Sequence, residues 1–125
     1  MIKRNTRQLR RKYRHKRVRK KISGTEQIPR VSVFKSSKNI YAQVHDDDKQ
    51  VTILGVSTLT PEIRKQYEGK DDLKNLDKAR MVGEYLGDIL QKKGIKEIRY
   101  DRSGYPYHGL LKALANGIRE KGINF

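Results

Sequence analysis

The chain has 125 residues, with 30 Lys plus Arg against 14 Asp plus Glu, a formal net charge of +16, and neither cysteine nor tryptophan. Only 34% of it is apolar and no run of about 18 apolar residues occurs, which excludes a membrane-spanning helix; the lack of cysteine excludes disulfides, thiolate metal sites and a cysteine nucleophile, and fits a reducing compartment. So large an excess of cations calls for a polyanionic partner, with nucleic acid ahead of an anionic membrane.

The charge is concentrated at the start. Residues 1–21 hold 12 of the 30 basic side chains and no acid, whereas the remainder sets 18 bases against 14 acids. Two parts are expected: a basic RNA-binding arm over residues 1–24 and a globular domain over residues 25–125, long enough for one core. The arm's few apolar residues, among them Leu9, Tyr13 and Val18, can bury little surface. Free in water the arm should be disordered by self-repulsion. Against phosphate it can order as a helix, since no Gly or Pro precedes Gly24. The competing readings are a solubilising tail and a mitochondrial transit peptide; the arm is Ser-poor and runs straight into the folded part, which disfavours the latter. No apolar segment follows the charges, so a secretory signal is excluded.

Beyond Pro29, residues 30–35 alternate apolar and polar, the period of a half-buried strand. A turn-forming cluster at Ser36, Ser37, Lys38 and Asn39 follows. Residues 40–45 alternate again, with Ile40, Ala42 and Val44 on one face and Tyr41, Gln43 and His45 on the other. A second turn at residues 46–49 leads to a β-branched strand over 50–57, completing an antiparallel meander. Residues 58–74 read as a loop with a short helical turn. A long helix then places Leu76, Ala79, Val82, Gly83, Leu86, Ile89 and Leu90 on one face and stops at Gly94. Residues 95–100 read as a fourth strand and 101–106 as a loop. Residues 107–121 read as a second helix with Leu110, Leu111, Leu114 and Ile118 inward, after which Ile123 and Phe125 tuck back onto the core. The fold class is therefore α/β: a mixed four-stranded sheet in β-β-β-α-β-α order, with strand order 3-2-1-4, strand four parallel to strand one, and both helices packed on it.

Two places carry candidate chemistry. The strand face of Tyr41, Gln43 and His45, with Ser36, Ser37 and Asn39 beside it, can stack on a base and hydrogen-bond to sugar or base edges; an ordinary solvent-facing strand also favours these residues. The segment from Asp101 to Gly109 lies after a strand and before a helix, where α/β folds place ligand contacts. There Arg102 supplies a cationic fork, and Tyr105, Tyr107 and His108 can stack or donate; tyrosines of a Pro-stiffened loop also pack on cores. The three carboxylates at Asp46, Asp47 and Asp48 lack the spacing of a calcium loop and read as a solvated turn. His15, His45 and His108 share no ligand spacing, so neither a metal nor a cofactor is expected. Asp101, His108 and Ser103 could in principle act as acid, base and nucleophile, but no nucleophile elbow, phosphate loop or dinucleotide fingerprint is present, and the chain reads as no enzyme.

Several of these segments together resemble one family. VSVFKSSKNIYAQVHDDD, the VSTL after it, YDRSGYPYHGLLKALANGIREKGINF and the arm ending in RVRKKISGT resemble bacterial large-subunit ribosomal protein eighteen over essentially the whole chain. The resemblance implies a structural protein of the large ribosomal subunit, cytoplasmic, that binds 5S rRNA and helps join it to 23S rRNA in the central protuberance. Its implied neighbours include ribosomal protein five; no membrane and no small-molecule substrate are implied. It also implies a ribonuclease-H-like topology without catalytic carboxylates. Ser36, Asn39, Tyr41 and Gln43 match the family's strand motif facing 5S rRNA. Arg102, Tyr105, Tyr107, His108 and Gly109 match its second RNA-facing motif, and Arg10, Arg11, Arg14, Arg17 and Arg19 match the arm that threads between RNAs. Many members carry Arg directly after YHG where this chain has Leu110, and Gly-Gly where it has Ser103-Gly104. The first departure puts one phosphate contact in doubt, which Lys112, close by on the helix, partly replaces as a point charge. A stand-alone basic architectural nucleic-acid binder is the alternative.

Overall fold

The computed structural model describes residues 6–21, 23–70, 73–107 and 109–125. Helix α1 (Thr6–Lys21) precedes strands β1 (Arg30–Lys35), β2 (Ile40–Asp46) and β3 (Val51–Ser57). Helices α2 (Pro61–Tyr67) and α3 (Asn75–Lys92), strand β4 (Arg99–Asp101) and helix α4 (Leu110–Glu120) complete the chain. The sheet order is β3-β2-β1-β4, antiparallel across β1, β2 and β3 and parallel between β1 and β4, as the alternation and the helical crossover predict.

Alternation along the strands decides which residues meet the helices. Val31 and Val33 of β1 and Ile40, Ala42 and Val44 of β2 are buried on one face. Against them pack Ala79, Val82, Leu86 and Leu90 of α3 and Leu111, Leu114 and Ile118 of α4. The two helices approach closely because glycines line the crossing. A Cβ at Gly83 would run into the Leu114 carbonyl oxygen, and one at Gly117 into that of Arg80. Ile123 is buried and Phe125 packs at the rim, as expected.

Three elements differ from the pattern-based reading. The loop over 58–74 contains a seven-residue helix, α2, started by Pro61 and pinned by fully buried Ile63 and by the Tyr67 hydroxyl, which donates to the Thr58 carbonyl at 2.7 Å. Strand β4 is only three residues long. Residues 96–98 run alongside the C-terminal segment instead: Ile98 N–H donates to the Asn124 carbonyl at 3.1 Å, and Asn124 N–H to that of Lys96 at 2.8 Å. Helix α4 begins at Leu110 rather than Tyr107, because Gly109 leaves the helical region at φ 58° and ψ −125°. Leu76, in the first turn of α3, is 46% exposed rather than inward.

The opposite face of the sheet is not covered by α3 and α4. Arg30, Ser32 and Phe34 of β1, Tyr41, Gln43 and His45 of β2, and Asp101 of β4 share it by alternation and register, Ser32 lying beside Asp101 and Phe34 beside Tyr41. Helix α1 lies against the β4 edge of this face, through Asp101 and the turn that follows it.

Candidate nucleic-acid interface

On the open face, near the β1–β2 turn, the rings of Phe34 and Tyr41 lie 6.0 Å apart at a 39° tilt. Phe34 is 52% exposed, an unusual position for a large apolar ring. The two rings, with Ser32, Ser36, Gln43 and Ser103, line an open depression of about 380 Å³. Its lining combines aromatic rings with hydroxyls and an amide, a combination that suits a stacked, hydrogen-bonded base. Phe34 and Ser32 were not among the sequence candidates, yet the period-two alternation that buries Val33 already places them on the exposed face.

His45 shares that face but is held by the protein. Its Nε2 lies 2.8 Å from the Ser32 hydroxyl and its Nδ1 3.2 Å from that of Thr52. Burial lowers its pKa below the ordinary 6.5, and the Arg30 charge lowers it further, so the neutral ring bridges the two hydroxyls. Ser36 and Asn39 close the β1–β2 turn: the Asn39 N–H donates to the Ser36 hydroxyl at 3.1 Å, and the Asn39 amide oxygen accepts from Thr58 at 2.8 Å. Ser36 reaches the depression, whereas the Asn39 side chain is engaged toward Thr58. Leu110 packs at the core rim near this turn.

The second motif is split between two surfaces. Tyr105 lies on the arm side, with the Arg11 guanidinium 4.5 Å from its ring centroid and the Lys35 ammonium 5.4 Å away. Tyr107 points elsewhere, edge-on to Tyr100 and accepting from Arg119 Nη1 at 2.7 Å. With Arg99, Arg102 and Phe125 it borders a separate depression of about 310 Å³. Gly109 and Lys112 are exposed at the start of α4, and His108 lies outside the described residues. Beneath this surface Tyr100 donates to the Leu111 carbonyl at 2.8 Å, and burial pushes its phenol well above the ordinary value.

Two of the three carboxylates that read as a solvated turn, Asp46 and Asp47, are structural instead, whereas Asp48 is exposed. Asp46 is 2% exposed and accepts the backbone N–H groups of Asp48 and Lys49. Asp47 forms a two-pronged pair with Arg30, at 3.0 Å from Nε and 3.2 Å from Nη2, and accepts the Gly24 N–H. The Arg30 hydrogen bonds hold the Asp47 carboxyl below its usual range, against the opposing effect of burial. Arg30 Nη1 also donates to Asp101, which is fully buried, at 2.9 Å. Ion pairing of this cluster involves residues far apart in sequence, and no local pattern marks it.

The cluster anchors the arm. His15 Nε2 lies 3.3 Å from Asp101 Oδ2, and Arg19 approaches Asp47 at 3.7 Å. Arg11 donates to the Ser103 carbonyl at 3.1 Å and Arg14 to that of Gly104 at 3.0 Å. The turn can present these two carbonyls because Ser103 and Gly104 both have positive φ, 54° and 82°. Gly104 has a second requirement: a Cβ there would run into the Arg11 carbonyl oxygen of α1. Arg10 and Arg17 are exposed on α1.

Residues 5–125 match the family model described as "Ribosomal L18 of archaea, bacteria, mitoch. and chloroplast". The chain belongs to the ribosomal L18 family. It is 47% identical over 125 residues to the large ribosomal subunit protein uL18 of Thermotoga neapolitana, covering all of both chains. It is 48% identical over 115 residues to the uL18 protein of Caldanaerobacter subterraneus subsp. tengcongensis, covering 92% of each, and 45% identical over 125 residues to that of Alkaliphilus metalliredigens, again covering all of both. As an L18 protein the chain is a structural ribosomal component, with rRNA and other ribosomal proteins as its partners. Among the described residues, no helix is long and apolar enough to cross a membrane.

Proposed function

We propose that this L18 protein binds 5S rRNA and helps attach it to 23S rRNA in the central protuberance of the large ribosomal subunit, beside ribosomal protein five, in the cytoplasm. The observation that carries the reading is the open face: paired, accessible rings of Phe34 and Tyr41 over hydroxyl and amide groups, flanked by a helix dense in cations. Ser36, Tyr41 and Gln43 supply base and sugar contacts, with Phe34 as an added stacking surface. Arg102, Tyr107, Gly109 and Lys112 form a second contact region, around the other depression and the start of α4. The arm supplies affinity by releasing counterions, and the folded face supplies registry.

Competition binding at about 150 mM salt tests this, because screening there weakens contacts that are merely electrostatic. Labelled 5S rRNA is challenged with unlabelled 5S rRNA, transfer RNA and duplex DNA. The expected result is efficient competition by 5S rRNA alone. Equal competition by all three would instead describe a general basic nucleic-acid binder.

A further inference from the structure

We infer that the arm helix has an inner, docking side and an outer, RNA-contacting side, and that Asp47 and Asp101 are positioning residues that hold the inner side in place on the RNA complex. This rests on the RNA-binding reading above. Arg11, His15 and Arg19 follow one another at four-residue intervals, so they share one side of α1. That side meets the Ser103 carbonyl, Asp101 and Asp47 in turn. Arg10, Tyr13 and Arg17 fall on the opposite side and are exposed, Tyr13 by 56%. The backbone contact at Gly104 fixes how closely the helix can lie.

Carboxylates beside a polyanion-binding surface would ordinarily repel it. Here each is turned inward onto Arg30 and onto the arm, so each orients cations rather than opposing phosphate. The arm's cations are thereby divided. The outer ones displace counterions from RNA, and the inner ones set the helix's direction relative to the Phe34–Tyr41 face, so that both reach one RNA together.

The two roles predict opposite signatures in a salt series. Full-length protein is titrated with 5S rRNA, and in parallel with an unrelated RNA duplex, for the native chain, Asp47→Asn, His15→Gln and the double variant Arg10→Gln/Arg17→Gln. The double variant should make the log K against log salt slope shallower by roughly 1.4–1.8, the contribution of two phosphate contacts. Asp47→Asn and His15→Gln should each weaken binding by about three- to tenfold at low salt, with a slope change well below that of the double variant because no phosphate contact is lost. His15→Gln changes only a partly exposed side of α1, so it repeats the test without touching the Arg30 cluster's own pairing. Tighter or unchanged binding by both Asp47→Asn and His15→Gln would overturn the inference, because neutralising an idle carboxylate favours a polyanion. So would a slope change in His15→Gln equal to that of an outer cation. Slopes report phosphate contacts on any RNA, so equal binding of the two RNAs would count against the 5S assignment while leaving the division of the arm readable.

Discussion

Helices α1 and α4 are placed on the same small domain by opposite physics. Helix α4 buries Leu111, Leu114, Ala115 and Ile118 against α3 and the sheet, and its position follows from apolar periodicity. Helix α1 carries a dense set of cations, has no acidic residue in its first turn, and meets the domain through ion pairs and two backbone carbonyls. The apolar contact is strong and indifferent to salt. Partly exposed ion pairs are weak singly and screened by salt. The difference teaches that α4 is held to the fold by burial, whereas α1 is held to it by charge and hydrogen bonds, and under the proposed function it is the complex, not the fold, that depends on α1.

The sharpest way to break that contrast is to perturb each helix and ask which property falls. Leu114→Ala removes a fully buried side chain and should destabilise the protein by about 2–5 kcal/mol, read as an earlier denaturant midpoint with RNA affinity at low temperature retained. Deleting residues 1–21 should do the reverse. Thermal stability should stay nearly constant while affinity falls about 100- to 1,000-fold at low salt, and a slope near −4 should flatten toward −1; a large drop in melting temperature would show that the arm belongs to the core after all. Within the folded face, Tyr41→Ala should weaken 5S rRNA binding by about 1–3 kcal/mol if its ring stacks on a base. An equal loss with random RNA would mean that Tyr41 contributes no selectivity.

The smallest effect is on pH. His45 has a folded pKa below its ordinary 6.5, so the unfolded chain takes up the proton first, and stability is full above about 6.5 and declines as pH falls toward the folded value. Asp47, also lowered from its ordinary 3.8, adds a second decline as pH falls through its own folded value. Melting temperature against pH should therefore fall in two steps, and His45→Gln should flatten the upper one only. Persistence of the upper step in that variant would assign it to another group.

Alternation and helical spacing made the meander, its register of faces, the two long helices and the strand order legible, because apolar burial has a period that chain positions display. The same alternation put Tyr41 and Gln43 on the accessible face. It also put Phe34 there, although strand residues of that kind read more readily as core. Where backbone pairing came from a distant segment the pattern failed: residues 96–98 look like a strand but run beside the C-terminal segment, which shortens β4. Tyr105 and Tyr107, two residues apart, looked like one recognition patch, yet the turn at positive φ and the late start of α4 send them to different surfaces.

By itself, then, the amino-acid sequence determined the α/β class, the concentration of cations in the first 21 residues, the core, and a polyanion as partner. These follow from composition and from periodicities of two and about 3.6 residues, which are local properties of the chain. Only the tertiary structure decided that Asp47 is an anchor rather than a solvated acid, that Asp101 is a second anchor linked to it by Arg30, and that Arg11, His15 and Arg19 turn inward while Arg10 and Arg17 remain exposed. Charged partners have no period. Which carboxylate meets which cation depends on the distances that folding creates, and residues 15, 30, 47 and 101 come together only once the sheet has formed.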